Sequence, residues 1–218
     1  TKKNEAIVEY PTYEPLLRLV QEYYPRVRRL DRKEKDCYKL DADELRKMVS
    51  EKTGVLVLTN PHLPSGATSG MNELMEVMTV AREHGFHVLC DEIYAEFRRH
   101  AVPTVFSVDQ DWGIVTTSFT KAYGLGGLRA GVAIAKKELV DELYVDQLNT
   151  IGPSSNIVEV TMVKLLTEGS AALERYQRKW ARMKNEAEEW LNKKGFVYFP
   201  NRVGITYWVK LPVKDTYR

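Results

Sequence analysis

Residues 54–60 are Gly-Val-Leu-Val-Leu-Thr-Asn, an apolar run of strand length that ends in polar residues. Such a run is typical of a strand covered on both faces, as in a parallel sheet between helices. Residues 86–90, Phe-His-Val-Leu-Cys, repeat the pattern and lead to Asp91. Residues 71–84 lie between the two runs and carry an apolar stripe at helical spacing, made of Leu74, Met75, Met78 and Ala81. The segment therefore predicts a strand, a helix and a second strand.

The same alternation continues on both sides of this unit. Upstream, the patterns predict strands at 7–10 and 27–30 and helices at 13–24 and 41–52, the first helix with an apolar face of Leu16, Leu17, Val20 and Tyr23. Downstream, strands at 113–118 and 129–135 are joined by a link too short for a crossover helix, so we expect antiparallel neighbours. The predicted fold is α/β, a three-layer, mostly parallel sheet flanked by helices.

The pattern changes after residue 136 to a largely helical stretch. A break at 152–155 is followed by a highly charged helical segment from 173 to 194. Two predicted strands, 196–199 and 204–211, come last. We therefore expect a large domain over residues 1–172, and a bridging helix with part of a smaller α+β domain over 173–218.

Bulk composition excludes several classes of function. The chain has 218 residues, 44% of them hydrophobic, and a net charge of +2, which suits one good-sized core. No dense run of Lys and Arg is interleaved with aromatic residues, so we expect no nucleic-acid partner and no anionic lipid surface. No apolar stretch is long enough to span a bilayer, and the first residues lack the apolar core of a signal peptide, which favours the cytoplasm.

The cysteines and histidines do not predict a disulfide or a metal site. Cys37 and Cys90 are far apart and neither belongs to a CxxC pair. His84 and His87 flank the helix stop at Gly85, and His62 has no partner at metal-ligand spacing. We expect these histidines to take no part in a functional site.

Polar residues follow three of the predicted strands. Asn60, Asp91 and Lys121 come just after strand ends, and in a parallel sheet such positions gather in one crevice. Lys121 precedes a glycine-rich turn that contains Arg129. An amine can form a Schiff base with an aldehyde, while a hydroxyl and a guanidinium bind phosphate. Pyridoxal phosphate carries both groups and is the expected cofactor. A dinucleotide site is rejected, because Arg129 stands where G-x-G-x-x-G requires glycine.

Four motifs in register resemble the class I/II aminotransferases, which are fold type I pyridoxal-phosphate enzymes. They are Pro11-Thr12-Tyr13, Asn60-Pro61, Asp91-Glu92-Ile93-Tyr94 and the stretch from Ser118 to Gly131, and they come in the family's order at similar separations. The resemblance runs from about Ile7 to about Leu211. It implies the large domain of that fold and an amino transfer between an amino acid and a 2-oxo acid.

The resemblance implies three catalytic residues. Lys121 would be the Schiff-base lysine, which also moves a proton once substrate displaces it. Asp91 would pair with the pyridine nitrogen and keep it protonated, so that the ring accepts electrons. Tyr94 would hydrogen-bond the cofactor's phenolic oxygen.

Four further residues would bind the cofactor alone. Asn60 would share the phenolic oxygen with Tyr94, although an Asn before a Pro is also a common turn signal. Tyr13 would stack on the cofactor ring, with a plain core tyrosine as the competing interpretation. Ser118 and Arg129 would bind the phosphate, the first as a hydroxyl donor and the second through a planar guanidinium.

Two parts of the family pattern lie outside this chain. The phosphate-binding helix start belongs upstream of Ile7, and the arginine that binds the substrate carboxylate belongs further on, so Arg218 receives no role. We expect an interior piece of a longer, homodimeric protein. Two alternatives remain open: lyase or ring-forming chemistry on the same fold, and a regulatory module that binds the cofactor without turnover.

Overall fold

A six-stranded sheet forms the centre of the molecule. The computed structural model describes residues 3–97, 103–200 and 203–213. The strands of the sheet are β1 (Glu5–Tyr10), β2 (Arg26–Asp31), β3 (Thr53–Thr59), β4 (His87–Asp91), β5 (Gly113–Ser118) and β6 (Gly131–Ile134). Their spatial order is β2-β1-β3-β4-β5-β6. The first five run parallel, and β6 pairs with β5 in the antiparallel sense. The predicted mostly parallel sheet is confirmed, including its antiparallel edge.

Seven helices lie in the described parts of the chain. They are α1 (Glu14–Tyr23), α2 (Ala42–Met48), α3 (Met71–His84), α4 (Val105–Val108), α5 (Lys137–Thr150), α6 (Asn156–Glu168) and α7 (Ser170–Lys193). The predicted bounds of α3 are confirmed, because Gly85 adopts φ 65° and ends the helix there. The predicted helix 41–52 ends earlier, at Met48, since a turn follows in which the Ser50 amide donates to the Thr53 hydroxyl at 3.0 Å.

Helices cover both faces of the sheet. On one face, Leu17 and Val20 of α1 pack with Ala6, Val8 and Val57. On the other face, side chains of α2, α3 and α4 pack around a larger cluster that contains Ile7, Leu56, Leu58, Phe86 and Val88. The apolar cover on both faces of the sheet explains the continuous apolar run of β3.

Two residues that were predicted on the buried stripes of helices are exposed instead, so these two predictions are wrong. Tyr23 of α1 is 77% exposed, and the stripe continues instead to Tyr24, which lies seven residues after Leu17. Met75 of α3 is 51% exposed, because the buried stripe follows the positions of Leu74, Val77, Met78 and Ala81.

The C-terminal part is helical and ends in a small sheet. No residue of α5 or α6 is buried in the described structure. The helix α7 has 24 residues and leads to a two-stranded antiparallel sheet, β7 (Val197–Tyr198) with β8 (Val209–Lys210). These strands are shorter than predicted, and the domain boundary at 172 stays a prediction. Among the described residues, no helix is both long and apolar enough to cross a membrane.

Candidate active site

The candidate site lies at the carboxyl edge of the sheet, where neighbouring strands end together. The register pairs Thr59 of β3 with Asp91 of β4, and Asp91 with Thr116 of β5. The backbone N–H of Asn60 donates to the Asp91 carbonyl at 3.0 Å. On the far side of β5, Ser118 pairs with Gly131 of β6. Parallel strands thus bring three distant segments of the chain to one edge.

Asp91 is a half-buried carboxylate next to Lys121. Its Oδ1 accepts a hydrogen bond from the Ile93 N–H at 3.1 Å, and its other oxygen accepts none from the described residues. Burial raises the pKa of Asp91, and the Ile93 N–H and the Lys121 ammonium partly offset that rise. A carboxylate withdrawn from water is costly unless it has a charged or N–H partner. Asp91 is therefore suited to hold a cationic N–H group.

Lys121 lies over the ring of Tyr94, with its Nζ 5.9 Å from the ring centroid. Tyr94 is buried, at 8% exposure. Burial is the largest cause that raises the pKa of the Tyr94 phenol, followed by the charges of Asp91 and Tyr13. Asp91 and Tyr13 thus interact with Tyr94 through charge. The structure thus brings four of the predicted residues together: Tyr13, Asp91, Tyr94 and Lys121.

Tyr13 and Asn60 differ in how their side chains are held. Tyr13 is 52% exposed just before α1, which excludes the competing interpretation of a core tyrosine. Asn60 is buried, and both ends of its amide contact Ser69: Nδ2 donates to the Ser69 carbonyl at 3.2 Å, and Oδ1 accepts from the Ser69 N–H at 3.0 Å. Asn60 therefore closes the loop 60–69, and its predicted contact with a cofactor stays a prediction.

The two predicted phosphate ligands lie near the β5–β6 end of the edge. The Ser118 hydroxyl accepts from the Thr120 N–H at 3.2 Å. Arg129 adopts φ 52° and donates from Nη1 to the Gly126 carbonyl at 2.9 Å. Its guanidinium is exposed and retains further donors for an anion. The glycine-rich turn thus folds back on itself without a helix long enough for a dinucleotide site.

The helix α7 packs against the loops that carry Tyr94 and Lys121. Gln177 donates to the Glu96 carbonyl at 2.6 Å, and the rings of Phe97 and Trp180 meet edge to face at 5.7 Å. Gly124 lies so near Tyr176 that an added Cβ would be 3.4 Å from its ring. The sequence predicted α7 only as a bridge, whereas in the structure it also contacts residues that flank the site.

Sequence reasoning missed a buried polar cluster beside the site. Glu9 and Arg32 are ion-paired at 2.7 Å, with side chains 0% and 1% exposed. His62 is also fully buried; its Nε2 donates to the Pro11 carbonyl at 2.8 Å, and its Nδ1 lies 2.7 Å from the Ser65 hydroxyl. His62 was expected to have no role, but it joins the Pro11 segment to the loop 60–69. A strand that carries Glu9 among apolar residues was the signal that could have revealed the cluster.

The family model for aminotransferase class I and II matches residues 1–217. The chain belongs to this family. Among curated relatives, the aromatic-amino-acid aminotransferase 2 of Thermococcus litoralis is 27% identical over 168 residues, which are 74% of this chain and 43% of that protein. The histidinol-phosphate aminotransferase of Akkermansia muciniphila is 34% identical over 111 residues, 50% of this chain and 30% of that protein.

Solved structures show the same fold. The aspartate aminotransferase from Thermus thermophilus with maleate superposes with a TM-score of 0.86 at 20% identity and covers 93% of this chain and 54% of its own. A PLP-dependent aminotransferase from Streptococcus suis gives 0.84 at 24% identity, over 93% of this chain and 54% of its own. The chain thus spans about half the length of the relatives that it matches.

The converging side chains fit pyridoxal phosphate, the cofactor of this family. Asp91 offers a partly buried carboxylate oxygen that lacks a hydrogen-bond donor among the described residues. Lys121 offers an amine, Tyr94 a phenol, and Arg129 an exposed guanidinium. These groups complement a protonated ring nitrogen, an aldehyde and a phosphate. Arg218 lies outside the described residues.

Proposed function

We propose that this chain is the cofactor-binding part of a pyridoxal-phosphate-dependent aminotransferase, with Lys121, Asp91 and Tyr94 as its catalytic residues. The observation that carries the proposal is the convergence of these three side chains at one edge of the sheet. They come from two separate segments, the end of β4 with its following loop and the loop after β5. Membership of the aminotransferase family supports the same conclusion.

Each catalytic residue has a task that its surroundings favour. Pyridoxal phosphate supplies an aldehyde and an electron-accepting ring when it is bound. The Lys121 amine would hold the cofactor through its aldehyde, with the aldehyde oxygen leaving as water, and would move a proton at its Nζ. The Asp91 carboxylate holds the proton of the ring nitrogen, and its partial burial strengthens that charge interaction. The buried Tyr94 hydroxyl donates to the phenolic oxygen.

The remaining predicted residues orient the cofactor. Ser118 and Arg129 bind the phosphate from the two ends of the β5–β6 connection. The exposed Tyr13 ring covers one face of the cofactor, and loss of such a flat contact costs about 1 kcal/mol. Asn60, which follows β3 and contacts Ser69, would share the phenolic oxygen of the cofactor with Tyr94.

The whole protein, on this proposal, transfers an amino group between an amino acid and a 2-oxo acid in the cytoplasm, as a homodimer in amino acid biosynthesis. Curated relatives named aspartate aminotransferase and aromatic-amino-acid aminotransferase support this class of substrate. They differ in substrate between themselves, so the proposal names the class of substrate alone.

Covalent trapping of the cofactor tests the proposal. Protein loaded with pyridoxal phosphate is reduced with borohydride, and peptide mass spectrometry locates the added mass. We expect it on Lys121, and we expect Lys121→Ala to abolish both the added mass and the visible or near-ultraviolet absorbance. Lys136→Ala is the matched control, because Lys136 is also half-buried and also follows a strand of the sheet.

Two outcomes of the trapping experiment would contradict the proposal. One is no absorbance in the wild-type protein, and the other is added mass that persists in Lys121→Ala at another lysine. A panel of amino acids with 2-oxoglutarate then tests the reaction class. Amino transfer to the oxo acid supports the proposal. Elimination or ring products indicate lyase chemistry, and an absorbance that no amino acid changes indicates a regulatory module.

A further inference from the structure

Arg32 is buried, and its guanidinium makes three separate contacts. Its Nη1 donates to Glu9 Oε2 at 2.7 Å, its Nε to the Tyr38 carbonyl at 2.6 Å, and its Nη2 to the Ser69 hydroxyl at 3.5 Å. The planar fork of arginine allows these contacts at once in fixed directions, which a lysine ammonium does not. Arg32 therefore joins three segments: β1, the residues after β2, and the loop after β3.

Glu9 extends the contacts of Arg32 to the end of β3. Its Oε1 accepts from both the backbone N–H and the hydroxyl of Thr59, each at 2.6 Å. The Thr59 hydroxyl in turn accepts from the Leu63 N–H at 2.8 Å. One carboxylate thus fixes the last residue of β3 and the first turn of the loop 60–69.

The residues that the pair holds are direct neighbours of the candidate site. Thr59 is the register partner of Asp91, and the Asn60 N–H donates to the Asp91 carbonyl at 3.0 Å. Ser69, the contact of Arg32 Nη2, holds both ends of the Asn60 amide. Two routes of direct contacts therefore run from the buried pair to the site, one through Thr59 and one through Ser69.

We propose that Glu9 and Arg32 are positioning residues, which hold the end of β3 and the loop 60–69 in the arrangement that binds the cofactor beside Asp91. This inference rests on the proposed function of that site. A buried ion pair is a poor device for stability alone, because an apolar pair of similar volume often stabilises a fold equally well. Here the two side chains use five hydrogen bonds to connect β1, β2 and β3 at one end.

Two variants separate positioning from plain stability. Arg32→Lys keeps a charge for Glu9 but loses the fork that reaches Tyr38 and Ser69. The paired Glu9→Leu/Arg32→Met removes both charges together, which avoids the larger destabilisation of an unpaired buried charge, and its melting temperature is measured beside the other readouts. The control is Glu83→Gln/Arg46→Met, which removes an ion pair whose side chains are 49% and 47% exposed.

The readouts are amide hydrogen exchange without cofactor and the dissociation constant for pyridoxal phosphate, both in the full chain. We expect exchange at Ser69 to rise about tenfold in Arg32→Lys and in the paired variant, and exchange at Thr59 to rise about tenfold in the paired variant alone. We expect the dissociation constant to rise about tenfold in both variants. The control should match the wild type in every readout.

Wild-type exchange and wild-type affinity in the paired variant would overturn the inference, since the pair would then hold nothing that the site needs. Faster exchange with unchanged affinity would overturn it too, because the loop would be loosened without effect on the cofactor. A wild-type protein that binds no pyridoxal phosphate would instead refute the proposed function, and that outcome is visible before any variant is compared.

Discussion

The buried ring of His62 should make the stability of this protein depend on pH. Burial, with the nearby charge of Arg32, lowers the pKa of His62 from 6.5 to about 3. The folded protein thus keeps the ring neutral, with Nε2–H donating to Pro11 and Nδ1 accepting from the Ser65 hydroxyl. Below the unfolded pKa of 6.5 the unfolded chain binds a proton that the folded chain rejects, so stability falls as pH falls toward about 3.

The size of the effect follows from the two pKa values. One pKa unit corresponds to about 1.4 kcal/mol, and between about pH 7.5 and about pH 5 the unfolded ring goes from mostly neutral to mostly charged. The folded ring stays neutral over that whole interval, since its pKa of about 3 lies well below it. His62 alone should therefore remove about 2 kcal/mol of the free energy of unfolding on this change of pH.

Denaturant unfolding of the wild type and of His62→Gln measures this contribution. A glutamine Nε2 can still donate to the Pro11 carbonyl, but glutamine does not titrate. We expect His62→Gln to be less stable by about 1 kcal/mol near neutral pH, because it loses the bond from Ser65. Near pH 5 the variant should be at least as stable as the wild type. Parallel losses of stability in the two proteins would refute the argument.

Two further variants test the surroundings of the site. Asp91→Asn should keep the fold and the bound cofactor. It should lower the rate of amino transfer by about 100-fold or more, because the charge on the ring nitrogen is lost. A steady-state rate within about threefold of the wild type would contradict this prediction. Trp180→Ala removes the edge contact with Phe97 and should cost about 1–2 kcal/mol of unfolding free energy. Tyr144→Ala, at a 55% exposed ring that makes no ring contact among the described residues, is its control, and equal losses in the two variants would contradict a specific contact.

The strands and their polar ends could be predicted because local pattern determines them. The apolar runs at 54–60 and 86–90 required cover on both faces, and the structure covers them with helices. The position of Asp91 at a strand end followed from the same pattern. Its proximity to Lys121 then needed only the rule that parallel strands end at one edge. The fold and the outline of the site were therefore within reach of the sequence.

The pairing of side chains within the buried polar cluster was out of reach, because residues distant in sequence form it. Glu9 is a charged residue, a type usually exposed, and its partner Arg32 follows a different strand. Which charges meet depends on the register between β1 and β2, and residue types alone do not specify it. The contact of the Asn60 amide with Ser69 was out of reach for the same reason, since no motif marks Ser69.

Asp91 and Lys121, two of the proposed catalytic residues, are held by different kinds of hydrogen bond. Asp91 ends a strand that has neighbours on both sides, so ladder hydrogen bonds fix its backbone. Lys121 lies beyond β5 in a bend, held by local bonds such as Gly124 N–H to the Lys121 carbonyl at 3.2 Å. Such a segment opens at lower free energy than a central strand. Tyr176 of α7 lies next to Gly124, so a change in the position of α7 would act first on the loop that carries Lys121.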